Sequence, residues 1–436
     1  MKRCHRCILA ATVVLGAAGF HPARARALDL ESVLREVSGA NPSLAARRSM
    51  VDAARARIGP AGAWPSPMLE LGAINVPAGG GFDSDPMTMK MIGLSQRFPV
   101  SGRAGLARRA AGESVASEQA GGRAAEFAAW GAAWEAYADA YYAVELETLA
   151  TRHLAILERF VQSARARYQS GRSPLADLLL AQAELPRLLS EREGYAAEEA
   201  AALARLKQAR GIPPSGPVES LAPLPAAPPL PPDPGVWVAA VQSSHPRLRG
   251  IEAQAVHYRL AARAARRSVW PDLEVRGSYG KRQTLAGGVS QDDMYSVTVG
   301  LALPVFAPQR ELAEGAEMEA MARASEADRH AAGLELEQEV TSAHAAAFAA
   351  QRSAALLQDS VLVIQQRALD ASWAAYAAGT IDLFRLLESA HALYDENVAL
   401  ARTRQAGARA AARLVALTGR TDLLGVPLPR SEEKSR

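Results

Sequence analysis

From Gly102 to Gly171 the chain reads GRAGLARRAAGESVASEQAGGRAAEFAAWGAAWEAYADAYYAVELETLATRHLAILERFVQSARARYQSG. No proline stands between Val100 and Ser173, so no residue there lacks an amide donor or presses its ring on the preceding turn. One unbroken helix of about 70 residues is predicted, turning at Tyr168-Gln169-Ser170-Gly171 into a shorter helix that returns to Gly211. At 1.5 Å per residue such a rod reaches roughly 100 Å, which no compact domain can bury. Its apolar residues form two lanes with alternating steps of three and four. The first is Phe127, Trp130, Trp134, Tyr137, Tyr141 and Val144; the second is Tyr142, Leu146, Leu149, His153, Ile156 and Phe160. Coiled-coil spacing on two faces gives the rod a neighbour on either side. A single long dimeric coiled coil is the plainer alternative for this stretch taken alone.

The whole chain of 436 residues is 49% hydrophobic but only 6% aromatic, and alanine is abundant along the helices, so helices can approach closely without a thick core. At the start, Lys2, Arg3 and Arg6 precede an apolar run from Ile8 to Phe20 and then Ala25-Arg26-Ala27. This reads as a secretory signal peptide over residues 1–27, its apolar run too short to span a bilayer. Cys4 and Cys7 both lie inside it, so disulfides and thiolate metal sites are excluded from the exported chain. Removing the five basic residues of the signal, which has no acids, takes the net charge from +3 to −2; nucleic acid is not the expected partner. No later segment offers 18 consecutive apolar residues, so a membrane-embedded form has to be a β-barrel.

Self-comparison shows two tandem copies. Asn41-Pro42-Ser43-Leu44 matches His245-Pro246-Arg247-Leu248, and 25 residues after each proline Pro67-Met68-Leu69-Glu70-Leu71 matches Pro271-Asp272-Leu273-Glu274-Val275. Phe98-Pro99-Val100 pairs with Leu303-Pro304-Val305, and Tyr168, Gly171, Leu175, Leu178 and Leu179 pair with Tyr376, Gly379, Leu383, Leu386 and Leu387. The expected division is a first repeat over 28–211, a Pro-rich extended linker over 212–235, a second repeat over 236–419 and a tail over 420–436. Each repeat reads helix (about Leu30 to Ala61, and about Val236 to Arg267), two strands, long helix, shorter helix. In the strands the period drops to two: Leu273, Val275, Gly277 and Tyr279 alternate with Asp272, Glu274, Arg276 and Ser278, as Ile92, Leu94 and Phe98 alternate with Met91, Gly93 and Ser95. Four strands of about ten residues suit a tilted membrane crossing but are too few to close a barrel; three chains supply twelve. Matched lengths place the helix after Gly171 end to end with the one starting near Val236, and the helix after Gly379 with the N-terminal one, so that each stack equals one long rod.

The Asn-Pro and His-Pro repeat starts, the Gly171 and Gly379 turns followed by Leu-x-x-Leu-Leu, and Ser95-Gln96-Arg97-Phe98-Pro99 together resemble the TolC-like outer-membrane efflux channel family, over nearly the whole exported chain. Gly59-Pro60-Ala61-Gly62-Ala63-Trp64-Pro65-Ser66-Pro67 and Val100-Ser101-Gly102-Arg103 are more similar to its cobalt-zinc-cadmium branch, the outer-membrane partner of heavy-metal pumps. The resemblance implies a mainly α chain with membrane β structure: a homotrimeric 12-strand β-barrel in outer-membrane lipid of a Gram-negative bacterium, continued by a long periplasmic α-helical barrel. It also implies partners, a periplasmic adaptor and an inner-membrane resistance-nodulation-division pump. Adaptor docking is expected at Gly171, Arg172, Ser173 and Pro174 and at Gly379, Thr380, Ile381 and Asp382. The periplasmic gate is expected at Tyr376, Arg385, Glu388 and Asp177; Glu388 stands where the family often carries an acid, whereas Arg385 and Ile381 depart from its pattern.

Enzyme chemistry finds no support: the histidines past the signal are scattered, none paired at i and i+4 around a glutamate, and the glycines follow no phosphate-loop spacing. No cofactor is expected, and His153, His344 and His391 read as packing or surface residues. Met87, Met89 and Met91 alternate on the strand face of Gly93 and Ser95, which should look into the lumen. Thioethers there are weak contacts for soft ions rather than a metal centre, or ordinary strand packing. The expected function is passive conduction of exported substrate, with heavy-metal cations as cargo. A multidrug or type I secretion channel and a periplasmic coiled-coil adaptor are the alternatives.

Overall fold

The computed structural model describes residues 27–79, 81–82, 84–216, 220–284 and 288–426. The signal-peptide assignment over 1–26 and most of the C-terminal tail lie outside the described residues. The long rod is α3, Arg103–Gln169, 67 residues without a break. It turns into α4, Leu175–Ala209. The second copy has the same hairpin with one difference: its rod is α7 (Glu311–Leu356), a π-helical turn (Leu357–Val361) and α8 (Leu362–Ala378), followed by α9 (Leu383–Thr418). The absence of proline therefore predicts continuity but not uniform winding, since a π turn keeps every amide inside the rod.

The expected single helices at the start of each copy are broken in two. The first is α1 (Leu30–Ala40) and α2 (Pro42–Ala61), the second α5 (Gly235–Ser244) and α6 (Pro246–Arg267). Asn41 and His245, each preceding a proline, hold extended backbone at ψ 120° and 127°. The proline ring excludes the helical conformation from the residue before it and favours the first helical position for itself.

The strands β1 (Met68–Ile74), β2 (Met89–Phe98), β3 (Asp272–Arg282) and β4 (Met294–Ala302) form one antiparallel sheet in the order β1-β2-β3-β4. β1, at seven residues, is shorter than expected. The central pairing joins the two copies, with Ile92 opposite Tyr279 and Leu94 opposite Gly277. Among the described residues both outer strands, β1 and β4, have one unpaired edge. Such edges demand another strand in a membrane, where no water satisfies them. No described helix is long and apolar enough to cross a membrane.

α3 packs against α2 and α4 on one side and α6 and α9 on the other, the two neighbours its two lanes call for. Trp134, Tyr137, Tyr142, Leu146, His153 and Phe160 are buried, whereas Val144, the end of the first lane, is exposed. The end-to-end stacking differs from the length argument. Asn41 Nδ2 donates to Ala209 O at 2.9 Å, so α4 abuts α2; His245 bonds to Leu417 O, so α9 abuts α6. Equal lengths permitted either pairing, and the linker decides between them. Its extended chain carries the backbone sideways from the end of α4 to α5, pinned by a parallel bridge of Leu28 with Leu221 and by the Tyr137 hydroxyl, 2.8 Å from Leu28 O and 2.6 Å from Ala222 O.

Candidate functional site

At the tip both hairpins close in the same way. Gly171 and Gly379 take φ +70° and +78°, the left-handed conformation that only glycine adopts without strain. Arg172 N donates to Arg167 O at 2.8 Å and Thr380 N to Ala375 O at 3.0 Å, satisfying the last carbonyls of each rod. Gly171, Arg172, Pro174, Gly379, Thr380 and Asp382 are exposed, with Ser173 and Ile381 half-buried between them. Asp382 caps α9 by accepting from Arg385 N at 3.0 Å. Exposed Leu179 and Phe384 lie within two turns of the glycines. The tip is thus a small-residue reversal with apolar flanks, a surface that a second helical hairpin can approach.

Within one chain the expected gate residues fall into two pairs, Tyr376 with Asp177 and Arg385 with Glu388. Tyr376 is buried at 3% exposure, and its partner is one the sequence does not announce: Arg167 donates to Tyr376 O and lies 4.5 Å from the Tyr376 ring centre. That contact ties the first hairpin to the second. Its equivalent in the second copy, Ala375, can make no such contact, and in sequence Arg167 reads as one more solvated helix residue. Asp177 lies near Asp382 across the hairpins; slight burial and then that negative charge raise its pKa above the ordinary value. Arg385 and Glu388 form an exposed pair at 3.9 Å on one helix face, a contact worth little in water. Glu388 therefore has the counter-charge beside it that a ring of three would need.

The sheet has two unlike faces. Leu69, Leu71, Ile92, Leu94, Val297, Val299 and Leu301 point to one side and are exposed. The other face is crowded: Gly93, Ser95 and Gly280 are buried there. It carries an ion-pair ladder, Arg276 to Glu70 at 3.1 Å, Arg276 to Glu274 at 3.4 Å and Arg97 to Glu274 at 3.4 Å. Met89 and Met91 stand on this face at the far end of β2, with Met91, Gly280 and Met294 in one cross-strand row. Met87 is exposed in the loop before β2 and does not belong to the row.

His153 is buried among helices, as its place in the apolar lane predicts, and burial followed by the nearby His391 depresses its pKa to about 4. His344 is also buried. Among the described residues no three metal-binding side chains are gathered around one point.

The profile of a family described as outer membrane efflux protein matches residues 33–211 and 237–420, most of the chain. No curated protein matches significantly. Solved structures do. The outer-membrane channel OprN superposes with a TM-score of 0.75 at 18% identity, covering 89% of this chain and 90% of that one. CusC gives 0.73 at 16% identity over 89% and 90% of the two chains. VceC from Vibrio cholerae gives 0.72 at 17% identity over 89% and 96%. At these identities the likeness is one of fold.

Proposed function

We propose, for a chain that belongs to the outer membrane efflux protein family, that it is the outlet of a tripartite resistance-nodulation-division system whose cargo is heavy-metal cations. The family and fold supply the coarser part: a passive Gram-negative outer-membrane channel, not an enzyme, in which three chains complete a twelve-stranded barrel continued by a periplasmic helical barrel. The open edges of β1 and β4 are the physical reason for the trimer. Docking of a periplasmic adaptor at the two glycine turns is part of the proposal, supported by their exposure and small side chains.

The observation that carries the metal cargo is the crowded face of the sheet, which in this reading lines the lumen. Met91 and Met294 flank Gly280 there, above a ladder of paired charges. Thioethers offer soft, exchangeable contacts to ions such as Cu(I), and conduction needs sites weak enough to leave. The similarity of residues 59–67 and 100–103 to the cobalt-zinc-cadmium branch points the same way. Multidrug efflux is the second reading, since the fold likeness, 0.75 for OprN and 0.73 for CusC, does not separate cargo classes.

Deleting the gene in a strain without redundant metal exporters should lower tolerance to one or more of cobalt, zinc, cadmium, nickel or copper, with Met91→Leu and Met294→Leu testing the row. Unchanged metal tolerance with new sensitivity to dyes or detergents would assign the protein to drug efflux.

A further inference from the structure

We propose that four arginines at the foot of the β-barrel, Arg108 and Arg109 of α3 with Arg263 and Arg267 of α6, bind the phosphate groups of anionic phospholipids in the periplasmic leaflet of the outer membrane. The inference rests on the family's membrane barrel and not on the cargo. Both helices meet the barrel through stretches that carry arginine and no acid. Pro99 to Gly112 holds Arg103, Arg108 and Arg109, and Ala253 to Pro271 holds Arg259, Arg263, Arg266 and Arg267. Three of these are taken: Arg266 by Glu319 at 2.6 Å, Arg259 by Glu326 at 3.9 Å and Arg103 by Asp272 at 2.7 Å. The other four are exposed and make no ion pair among the described residues; Arg267 donates only to Ser101 O, at 3.1 Å.

Their side of the wall is the outer one. Arg103, Ala104, Ala107, Ala261 and Ala264 line one groove between α3 and α6. Arg103 identifies that side, because Asp272 stands on the strand face opposite Leu273, whose cross-strand partner Leu301 belongs to the exposed apolar surface that faces lipid in a membrane barrel. At about 100° per residue, Arg108 and Arg109 lie about 140° and 240° around α3 from Arg103, and Arg263 and Arg267 about 200° and 240° around α6 from Ala261. The groove is luminal, and the four arginines point away from it. Within the chain α3 packs on α2 and α6, and α6 on α3 and α7, so this surface is clear of the edges where another chain joins.

Its height suits headgroups. Trp64, Val100, Trp270 and Phe306 are exposed beside the periplasmic ends of the strands, where tryptophan marks the level at which acyl chains give way to polar lipid. Arg267 precedes Trp270 by three residues, and Arg109 is six residues into α3, roughly 9 Å along its axis from Arg103. The headgroup layer is about 5–8 Å deep on each side of the hydrocarbon core, within reach of an arginine that extends its stem toward the membrane. A guanidinium fork pairs two N–H groups with one phosphate, and four cations with no acid among them favour lipids of net negative charge.

The test reconstitutes the full-length protein in bilayers of phosphatidylcholine and phosphatidylglycerol, one of the two carrying brominated acyl chains. Bromine quenches the fluorescence of Trp64 and Trp270, and so reports which lipid sits beside them. Phosphatidylglycerol should bind there about fivefold or more tightly than phosphatidylcholine, and about 0.5 M salt should bring the ratio close to one. The triple variant Arg108→Gln, Arg109→Gln, Arg263→Gln, checked by sizing as a trimer, should lose the preference, whereas Arg172→Gln, exposed at the tip, keeps it. Inorganic phosphate at about 10 mM should leave the preference intact at matched ionic strength. Equal quenching by the two lipids, a preference that survives the triple substitution or high salt, or displacement by inorganic phosphate would each overturn the proposal.

Discussion

The two joints where stacked helices meet follow one plan with different residues. At the first, Asn41 N–H donates to Val37 O, its Oδ1 accepts from Ser43 N at 2.9 Å, and its Nδ2 reaches Ala209 O at 2.9 Å. At the second, His245 N–H donates to Val241 O, its Nδ1 accepts from Arg247 N at 3.1 Å, and its other ring nitrogen meets Leu417 O. Each side chain ends one helix, caps the next and holds the helix stacked above. What the copies share is a donor and an acceptor at fixed separation, not an amino acid. The closing glycines follow suit: Gly211 at φ +75° and Gly419 at φ +66°. They differ in what surrounds them. A Cβ on Gly211 would lie 2.9 Å from Ala40 O, whereas one on Gly419 would lie 2.4 Å from the Phe127 ring.

That difference sets the largest expected effect. Gly211→Ala combines a left-handed backbone with a clash against a carbonyl that cannot turn away, and should cost about 2–4 kcal/mol. Gly419→Ala should cost less, although its clash is the shorter, because the half-buried Phe127 side chain can swing aside about its Cα–Cβ bond whereas a backbone carbonyl cannot. Thermal melting of the two variants in detergent compares them, and equal losses would show that the joints are equally rigid. Next comes the tip, where only the first copy supplies Arg167. Arg167→Ala frees the second hairpin from the first and should raise single-channel conductance in planar bilayers about twofold or more, at a cost of roughly 1–2 kcal/mol in stability. Unchanged conductance would remove this contact from the gate.

The smallest effect concerns protons. Burial, then the Arg247 charge, lowers the pKa of His245 below its ordinary value of 6.5. The folded protein thus favours the neutral ring, while the unfolded chain takes up a proton at the ordinary value. Stability from this group is present above about pH 6.5 and declines as pH falls below it. His245→Asn, which installs the first copy's residue, should keep the cap and remove that acid sensitivity, a change of about 1–3 °C in melting temperature at pH 5. A variant as acid-sensitive as the parent would locate the titration elsewhere.

Much of the fold is legible in the chain itself. The proline-free run and its two apolar lanes give α3 and its neighbours; strand alternation gives the exposed row of Leu69, Leu71, Ile92 and Leu94; and the repeated glycines give both tip turns. Asn41-Pro42 and His245-Pro246 also carried the helix breaks, but the length of the surrounding apolar pattern outweighed the local conformational rule. The site was less legible. Arg167 and Tyr376 are 209 residues apart, and so their contact leaves no periodic trace. His153 looks like any other lane residue, and its stacking on Tyr394 of the second hairpin leaves no periodic trace either.

The sequence by itself determined which segments are rods, strands and reversals, because periodicity, proline and glycine act through bonds only a few residues long. It also determined that four strands cannot be complete, since backbone groups in a membrane must be paired. Only the tertiary structure decided which helix stacks on which, where the π turn falls, and that Tyr376 is held by Arg167. Those choices lie between arrangements of equal length and equal hydrophobic pattern, separated only by where the linker runs and which side chains the hairpins bring within reach.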